Sequence, residues 1–350
     1  MTPTAPVAAP SPTKDVPRLA ALDGARLLAA AAVMVYHFWY IAPGAVIARH
    51  GYLGVDVFFM LSGFVILWSA NGRTPAAFAR ARVLRLYPEY WLAVLISAAV
   101  FTLSPGGMRG PPSVSSVLAN LTMVPQYLGQ PYVDGVYWTL GAELKFYLLL
   151  WGMLLVRQAQ HLDRWLIGWA LVGAIGEFID LGGVVRSLLI LPYGSLFALG
   201  GLVFVATERG WTAPRAIGVG LAWFAGWHGA LDRMAANMRP EDLTSAARMA
   251  TIGVVTVATL GLALVRRVEP SPRAAAWLTT AGALTYPLYL LHNVPKELLL
   301  QPERTVPRVI GLPLAVVASV ALAWVVQHAA ARFVRPPLAT LLGRRPRRVD

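Results

Sequence analysis

Three side chains able to do ionic or acid–base chemistry lie along one stripe of a single apolar stretch. Leu22 to His37 reads LDGARLLAAAAVMVYH. At 3.6 residues per turn, positions 23, 26, 30, 33 and 37 share one helix face. Asp23 and His37 therefore stand at opposite ends of that face, roughly 21 Å apart. An ionised side chain near a bilayer centre costs at least about 2.5–3.5 kcal/mol. Either these groups pair to hold helices together, or they line a path where chemistry happens. Farther along, Asp56, Glu143 and His292 add two carboxylates and a second imidazole in equally apolar surroundings. Arg82 and Arg85 are three apart and share a helix face. An imidazole with a near-neutral pKa can take a proton from a hydroxyl, and arginine forks bind phosphate in a bidentate way.

The elements that must position these groups are membrane helices. The chain has 350 residues, is 57% hydrophobic and only 13% charged, and has a mean hydropathy of +0.58. A soluble domain would carry about a quarter charged residues. The fold class expected is all-α, a polytopic membrane bundle of about ten transmembrane helices. The apolar spans fall near 20–42, 51–70, 84–104, 135–156, 165–182, 186–206, 212–230, 249–265, 275–298 and 307–330. Residues 1–19, rich in Pro, Ala and Thr, read as a disordered cytoplasmic segment. They do not read as a cleaved signal peptide, because the apolar run starts late and is too long. Residues 20–332 form the transmembrane domain and 333–350 a basic cytoplasmic tail. No repeat recurs at a fixed period. The absence of cysteine excludes a disulfide, a thiol nucleophile and a cysteine metal site.

A net charge of +13 would suggest nucleic acid in a soluble protein. Here the charge follows the membrane side. Roughly two in three of the 30 Lys and Arg residues fall on the side that holds both termini. That asymmetry puts both termini in the cytoplasm and removes the need for a nucleic-acid partner. It also sets depths. His37, Asp56, Glu143 and His292 fall in the outer half of the bilayer. Arg82 and Arg85 fall at the cytoplasmic mouth of the third span, with Asp23 and Arg26 at a similar inner depth. Acid–base groups thus gather on one side and fixed positive charge on the other, as expected if an anionic donor arrives from the cytoplasm and reacts deep in the membrane.

Five motifs carry a family resemblance. LDGAR at 22–26 with His37, GVDVFFMLSGF at 54–64, RVLRLYPEYW at 82–91, WTLGAELKFY at 138–147 and TYPLYLLH at 285–292 occur in this order, each on its own span. The chain resembles the acyltransferase family 3 membrane proteins. The resemblance covers residues 22–292 and implies a ten-helix enzyme. Such proteins move an acyl group, often acetyl, from cytoplasmic coenzyme A thioester to a hydroxyl of a glycan or glycosylated small molecule. The chain departs from the family pattern at two places. Ala81 precedes Arg82 where the family usually has adjacent arginines, and Arg335 stands at the usual terminal Glu position.

With the resemblance, His37 is expected to be the general base on the acceptor hydroxyl. Glu143 and Asp56 are expected to orient it or to hold the acceptor; an interhelical ion pair is the structural alternative for either. Arg82, Arg85 and Arg26 are the candidate binders of acyl-coenzyme A, and Asp23 is assigned a structural pairing with an arginine. His292, Tyr289 and Trp138 are candidates to line the acceptor site. Pro287 and Pro295 should kink the ninth span and help open a cavity. Ser62 reads as a packing residue, because a nucleophile elbow needs glycine two positions earlier and Met60 stands there. His50, His161, His228 and His328 read as loop or end residues, Glu177 and Asp180 as facing water, and no spacing suggests a metal. The tryptophans read mostly as interfacial anchors. The expected setting is a bacterial inner membrane, with membrane lipid and a carbohydrate or glycosylated acceptor as partners. Direct transfer and an acyl-histidine relay both fit. So do two other classes, a transporter or flippase of a glycan-linked lipid and a non-catalytic subunit of an envelope complex.

Overall fold

Short polar side chains start several of the helices that the apolar spans require. Thr74 accepts a hydrogen bond from the amide of Ala77 at 3.2 Å, Thr244 from Ala247 at 3.2 Å and Ser271 from Ala274 at 3.4 Å. Each satisfies an amide that has no partner within its helix. The structure is a computed structural model that describes residues 20–40, 45–104, 110–191, 193–300 and 307–343. The segment 1–19 and residues 344–350 of the tail lie outside the described residues.

Each expected span forms a long helix. These are α1 (Ala20–Trp39), α2 (Leu53–Ala70), α3 (Pro75–Leu103), α4 (Trp138–Leu155), α5 (Leu162–Gly176), α6 (Gly194–Arg209), α7 (Ala213–Asn237), α8 (Ser245–Leu264), α9 (Pro272–Leu291) and α10 (Arg308–Ala329). Among the described residues there is no strand. Five stretches are long and apolar enough to cross a membrane by themselves: Ala20–Trp39, Val46–Ala70, Pro75–Leu103, Ser245–Arg267 and Arg308–Leu341. The other long helices fall short for simple reasons. α5 and α6 have only 15 and 16 residues, and α4, α7 and α9 carry charged residues such as Glu143, Lys145, Arg233 and Arg273.

The main buried apolar cluster is built chiefly by α2, α3, α4 and α6. α2 runs along α6, and α1 packs between α2 and α9. Both close approaches depend on glycine. A Cβ at Gly63 would collide with the backbone oxygen of Phe197 in α6, and one at Gly54 with the backbone oxygen of Ala29 in α1. The carbonyls of one helix thus touch the backbone of the next, which small residues permit in membrane bundles. α5 and α7 flank α6, α8 packs on α7, α10 on α9, and α3 meets α4 and α9.

α9 ends at Leu291 and a short helix, Asn293–Leu299, follows. Pro295 has no amide proton to return to the Leu291 carbonyl, so the ladder breaks there. His292 occupies the junction and is buried. At the other end, α10 continues through a π-helical turn, Ala330–Val334, into a short helix, Arg335–Leu341. The tail boundary expected at Phe333 falls inside this continuous stretch. Arg335 pairs with buried Glu89 of α3, and Arg80 donates to the Leu342 carbonyl at 3.4 Å.

Candidate active site

Two cavities open between α1, α2, α4 and α9. The first, about 210 Å³, is lined by Arg26, Ser62, Arg82, Arg85, Glu143, Tyr147 and Tyr286 among others. The second, about 150 Å³, is lined by His37, Asp56, Trp138, Tyr193, Arg233 and Asn237 among others. Val55 and Tyr289 belong to the walls of both. The Tyr289 hydroxyl is held between the Thr139 hydroxyl at 2.9 Å and the Val136 carbonyl at 3.2 Å.

Arginines dominate the first cavity, and aromatic rings hold them. The Arg82 guanidinium lies 5.6 Å from the centres of both the Phe78 and Tyr147 rings, and Arg85 lies 5.4 Å from that of Tyr286. Ring faces attract guanidinium without neutralising it. Among the described residues neither Arg82 nor Arg85 has a carboxylate partner, and the buried Arg82 Nε has no hydrogen bond. Arg26 feels both Arg85 and Glu143. Asp23 is buried beside Gly282 of α9, one turn below Arg26.

Glu143 belongs to this cavity. Of the two roles expected for it, orienting His37 or holding the acceptor, the first has no contact to support it among the described residues. Its Oε1 accepts from the Tyr147 hydroxyl at 2.5 Å and from Ser62 at 3.3 Å. The physical reason is depth. α4 starts at Trp138, and five residues at 1.5 Å each carry Glu143 about 7.5 Å farther along the helix. Ser62 lies mid-helix in α2 as a carboxylate's donor, not on a strand-to-helix turn.

His37 lines the second cavity, and a second histidine, His292, is buried against it outside the lining. His292 Nε2 lies 3.0 Å from His37 Nδ1. His292 Nδ1 lies 2.8 Å from the Tyr289 carbonyl, so that nitrogen must carry a proton. Nε2 of His292 is then an acceptor, and His37 Nδ1 must donate to it. The Val33 carbonyl, 2.9 Å from the same His37 nitrogen, requires the same proton. The two carbonyls thus assign both tautomers and leave the basic lone pair of His37 on Nε2. His37 also meets Tyr36 edge-on, with ring centres 5.1 Å apart.

Asp56 is spent on a residue just past the apolar span expected at 212–230. Arg233 Nη2 donates to Asp56 Oδ1 at 2.8 Å. α7 continues to Asn237, which brings Arg233 onto its last turns. No glycine or proline interrupts residues 230–239, and the buried face of Gly226, Gly229 and Ala230 continues at helical spacing to Arg233 and Asn237. That spacing was the signal available in the sequence. Arg233 lies 4.6 Å over the Tyr193 ring, whose centre is 5.0 Å from that of Trp138. Arg233 Nε and Nη1 and Asp56 Oδ2 are buried without a hydrogen bond. A buried polar atom left without a partner costs about 1–3 kcal/mol, so three together call for an explanation. Asp134 is a second residue that the sequence analysis did not name; its carboxylate accepts from Asn293 at 2.9 Å, next to His292.

His228, expected as an end residue, bonds Glu177 at 2.8 Å, with Asp232 at 3.8 Å. Ligand atoms of these three lie within 4.8 Å of one another, near enough to hold a metal ion, but they line neither cavity.

Residues 19–328 match the acyltransferase domain family that the five motifs resemble. The chain belongs to acyltransferase family 3. This family is membrane-associated, and several apolar helices agree with that. Acyltransferase MdmB of Streptomyces mycarofaciens is 29% identical over 231 residues, which cover 61% of this chain and 53% of that protein. The chain therefore spans about half the length of that relative. Exopolysaccharide production protein ExoZ of Rhizobium meliloti (strain 1021) is 29% identical over 261 residues, 69% of this chain and 76% of that protein. Protein 2 in picA locus of Rhizobium radiobacter is 39% identical over 93 residues, 24% of this chain and 46% of that protein. No solved structure matches. All five motifs lie inside the family match, and four of them supply residues to both cavities: Arg26 and His37, Ser62 and Asp56, Glu143 and Trp138, Tyr286 and Tyr289.

Proposed function

We propose that the protein is an integral membrane O-acyltransferase that moves an acyl group, acetyl in the simplest case, from acyl-coenzyme A to a hydroxyl of a carbohydrate or glycosylated acceptor. The observation that carries this reading is the pair of cavities divided by Tyr289 and Val55, one lined by Arg26, Arg82 and Arg85, the last two without a carboxylate partner among the described residues, and the other by His37. Membership of the family supports it. So do the relatives, one named an acyltransferase and another an exopolysaccharide production protein.

In this reading ten helices cross a bacterial cell membrane with both termini in the cytoplasm, and the arginine cavity faces the cytoplasm. Arg82, Arg85 and Arg26 take the coenzyme A phosphates, because charge-assisted arginine forks are the strongest protein partners for them. Glu143, next to Arg26, keeps the cluster from being purely repulsive. The thioester reaches past Tyr289 towards His37. His37 Nε2 removes the acceptor hydroxyl proton as the oxygen attacks the thioester carbonyl. The tetrahedral intermediate then expels the coenzyme A thiolate, which takes the proton from His37. His292 receives the Nδ1 proton bond and stabilises the imidazolium formed on the way.

The test uses purified protein in lipid nanodiscs, labelled acetyl-coenzyme A and an extract of glycosylated acceptors. Label should move to an acceptor hydroxyl with wild type and not with His37→Ala. A transporter would leave the label on coenzyme A. Label that accumulates on the protein without acceptor would replace direct transfer by an acyl-histidine relay.

A further inference from the structure

Asp56 and Arg233 stand out among the groups that the acyl-transfer chemistry does not use. Their side chains are only 2% and 11% exposed, and they share one hydrogen bond. Each brings surplus capacity to the same wall: an acceptor oxygen on Asp56, and donor nitrogens Nε and Nη1 on Arg233. A pair built only for stability would use both carboxylate oxygens on the guanidinium fork. This pair engages by one oxygen and one nitrogen, which leaves one acceptor oxygen and two donor nitrogens without a partner. Trp138 and Tyr193 supply flat apolar faces beside it, and Tyr36 and Asn237, bonded to each other at 3.2 Å, close the far side.

An acceptor and donors on one wall beneath aromatic rings match the edge and face of a sugar. Both atoms are sealed from solvent, so a small shift of the two side chains lets a hydroxyl donate to Asp56 Oδ2 while its neighbour accepts from Arg233 Nη1, with the ring's C–H face on the aromatics. We infer that Asp56 and Arg233 form a clamp for two adjacent hydroxyls of a pyranose, which decides which further hydroxyl meets His37. Only that last role rests on the acyl-transfer reading; the clamp itself is a binding site. Asp56 and Arg233 are positioning residues here, and the group they recognise is the vicinal diol.

The probes are methyl mannopyranoside, galactopyranoside and glucopyranoside and their monodeoxy forms, titrated into the full-length protein in nanodiscs with binding read by tryptophan fluorescence. At least one parent glycoside should bind. Removal of either hydroxyl of one adjacent pair should weaken binding about 10–100-fold. Arg233→Gln should weaken the parent by a similar factor and abolish the penalty for the deoxy form that lacks the hydroxyl held by Arg233. Arg233→Lys keeps the charge but not the fork, and should also lose the discrimination. The exchanged pair Asp56→Arg with Arg233→Asp should regain thermal stability relative to either single change without regaining glycoside binding. Restored binding in the exchanged pair overturns the clamp. So does an undiminished penalty for that deoxy form in Arg233→Gln, or no binding of any glycoside. Acetyl-coenzyme A turnover on the same preparation separates the two readings. Clamp-dependent binding without acyl transfer overturns the acyltransferase and keeps the clamp. Acyl transfer insensitive to Arg233→Gln does the reverse.

Discussion

The two cavities share four helices, with α3 added to the first and α7 to the second, and do opposite things with charge. In the first, Arg82 and Arg85 rest on rings and keep their charge unspent. In the second, Arg233 is paired with Asp56, and His37 is locked by a carbonyl and by His292. α1, α2, α4 and α9 each contribute to both, and always in the same order. Along α1 and α9, Arg26 and Tyr286 precede His37 and Tyr289; along α2 and α4, which run the other way, Asp56 and Trp138 precede Ser62 and Glu143. A single helix thus carries both functions at two depths. Unspent positive charge suits a ligand that brings its own negative charge. Spent charge with assigned tautomers suits a neutral ligand that must meet a base.

Substitutions can break this contrast, and the largest expected effect is at His37. His37→Ala should lower kcat for acyl transfer by about 10²–10⁴-fold, the usual contribution of a general base, with coenzyme A binding unchanged by calorimetry. Arg82→Ala and Arg85→Ala should each raise the donor KM by about 10–100-fold, the loss of one charge-assisted bond, with the acceptor KM unchanged. An effect on the acceptor instead would dissolve the division. His292→Ala should lower kcat by about 10-fold or more while leaving both KM values, as expected when a partner that orients the base is lost. His292→Gln should recover part of that loss by offering an acceptor atom to His37. Glu143→Gln sharpens the contrast further. If Glu143 serves the arginines, donor KM changes by about 10-fold and kcat stays near wild type; a kcat loss as large as that of His37→Ala would return Glu143 to the base. The smallest effect is expected at Arg335→Ala. Its partner Glu89 is buried but Arg335 is 37% exposed, so the stability loss in a detergent melt should be about 1 kcal/mol, with transfer kinetics as in wild type.

Much of the site was legible in the sequence because its signals are local. The stripe Asp23, Arg26, His37 follows from helical periodicity, and Arg82 with Arg85 from a spacing of three. Trp138 and Tyr289, named from motifs, do line the cavity that holds His37; His292, expected to line it too, is instead buried against His37 outside the lining. Arg233 was missed because the apolar run ends before it, while the helix that carries it does not. The break at His292 was anticipated only as a proline kink; the lost bond from Pro295 to Leu291 places it one residue past α9.

The sequence by itself determined the all-helical class, the order of polar groups along each helix and the family. The first two follow from composition, hydropathy and periodicity, and the family from the resemblance of five motifs; none of these needs knowledge of neighbours. Only the tertiary structure decided partners. His37 and His292 are 255 positions apart, and Asp56 and Arg233 are 177 apart. Whether such residues meet depends on how far each helix is rotated and how deep it is set. One residue changes the rotation by about 100° and the depth by about 1.5 Å. Those offsets are set by backbone contacts such as Gly54 on Ala29 and Gly63 on Phe197. They put Glu143 with the arginines and left His37 to His292.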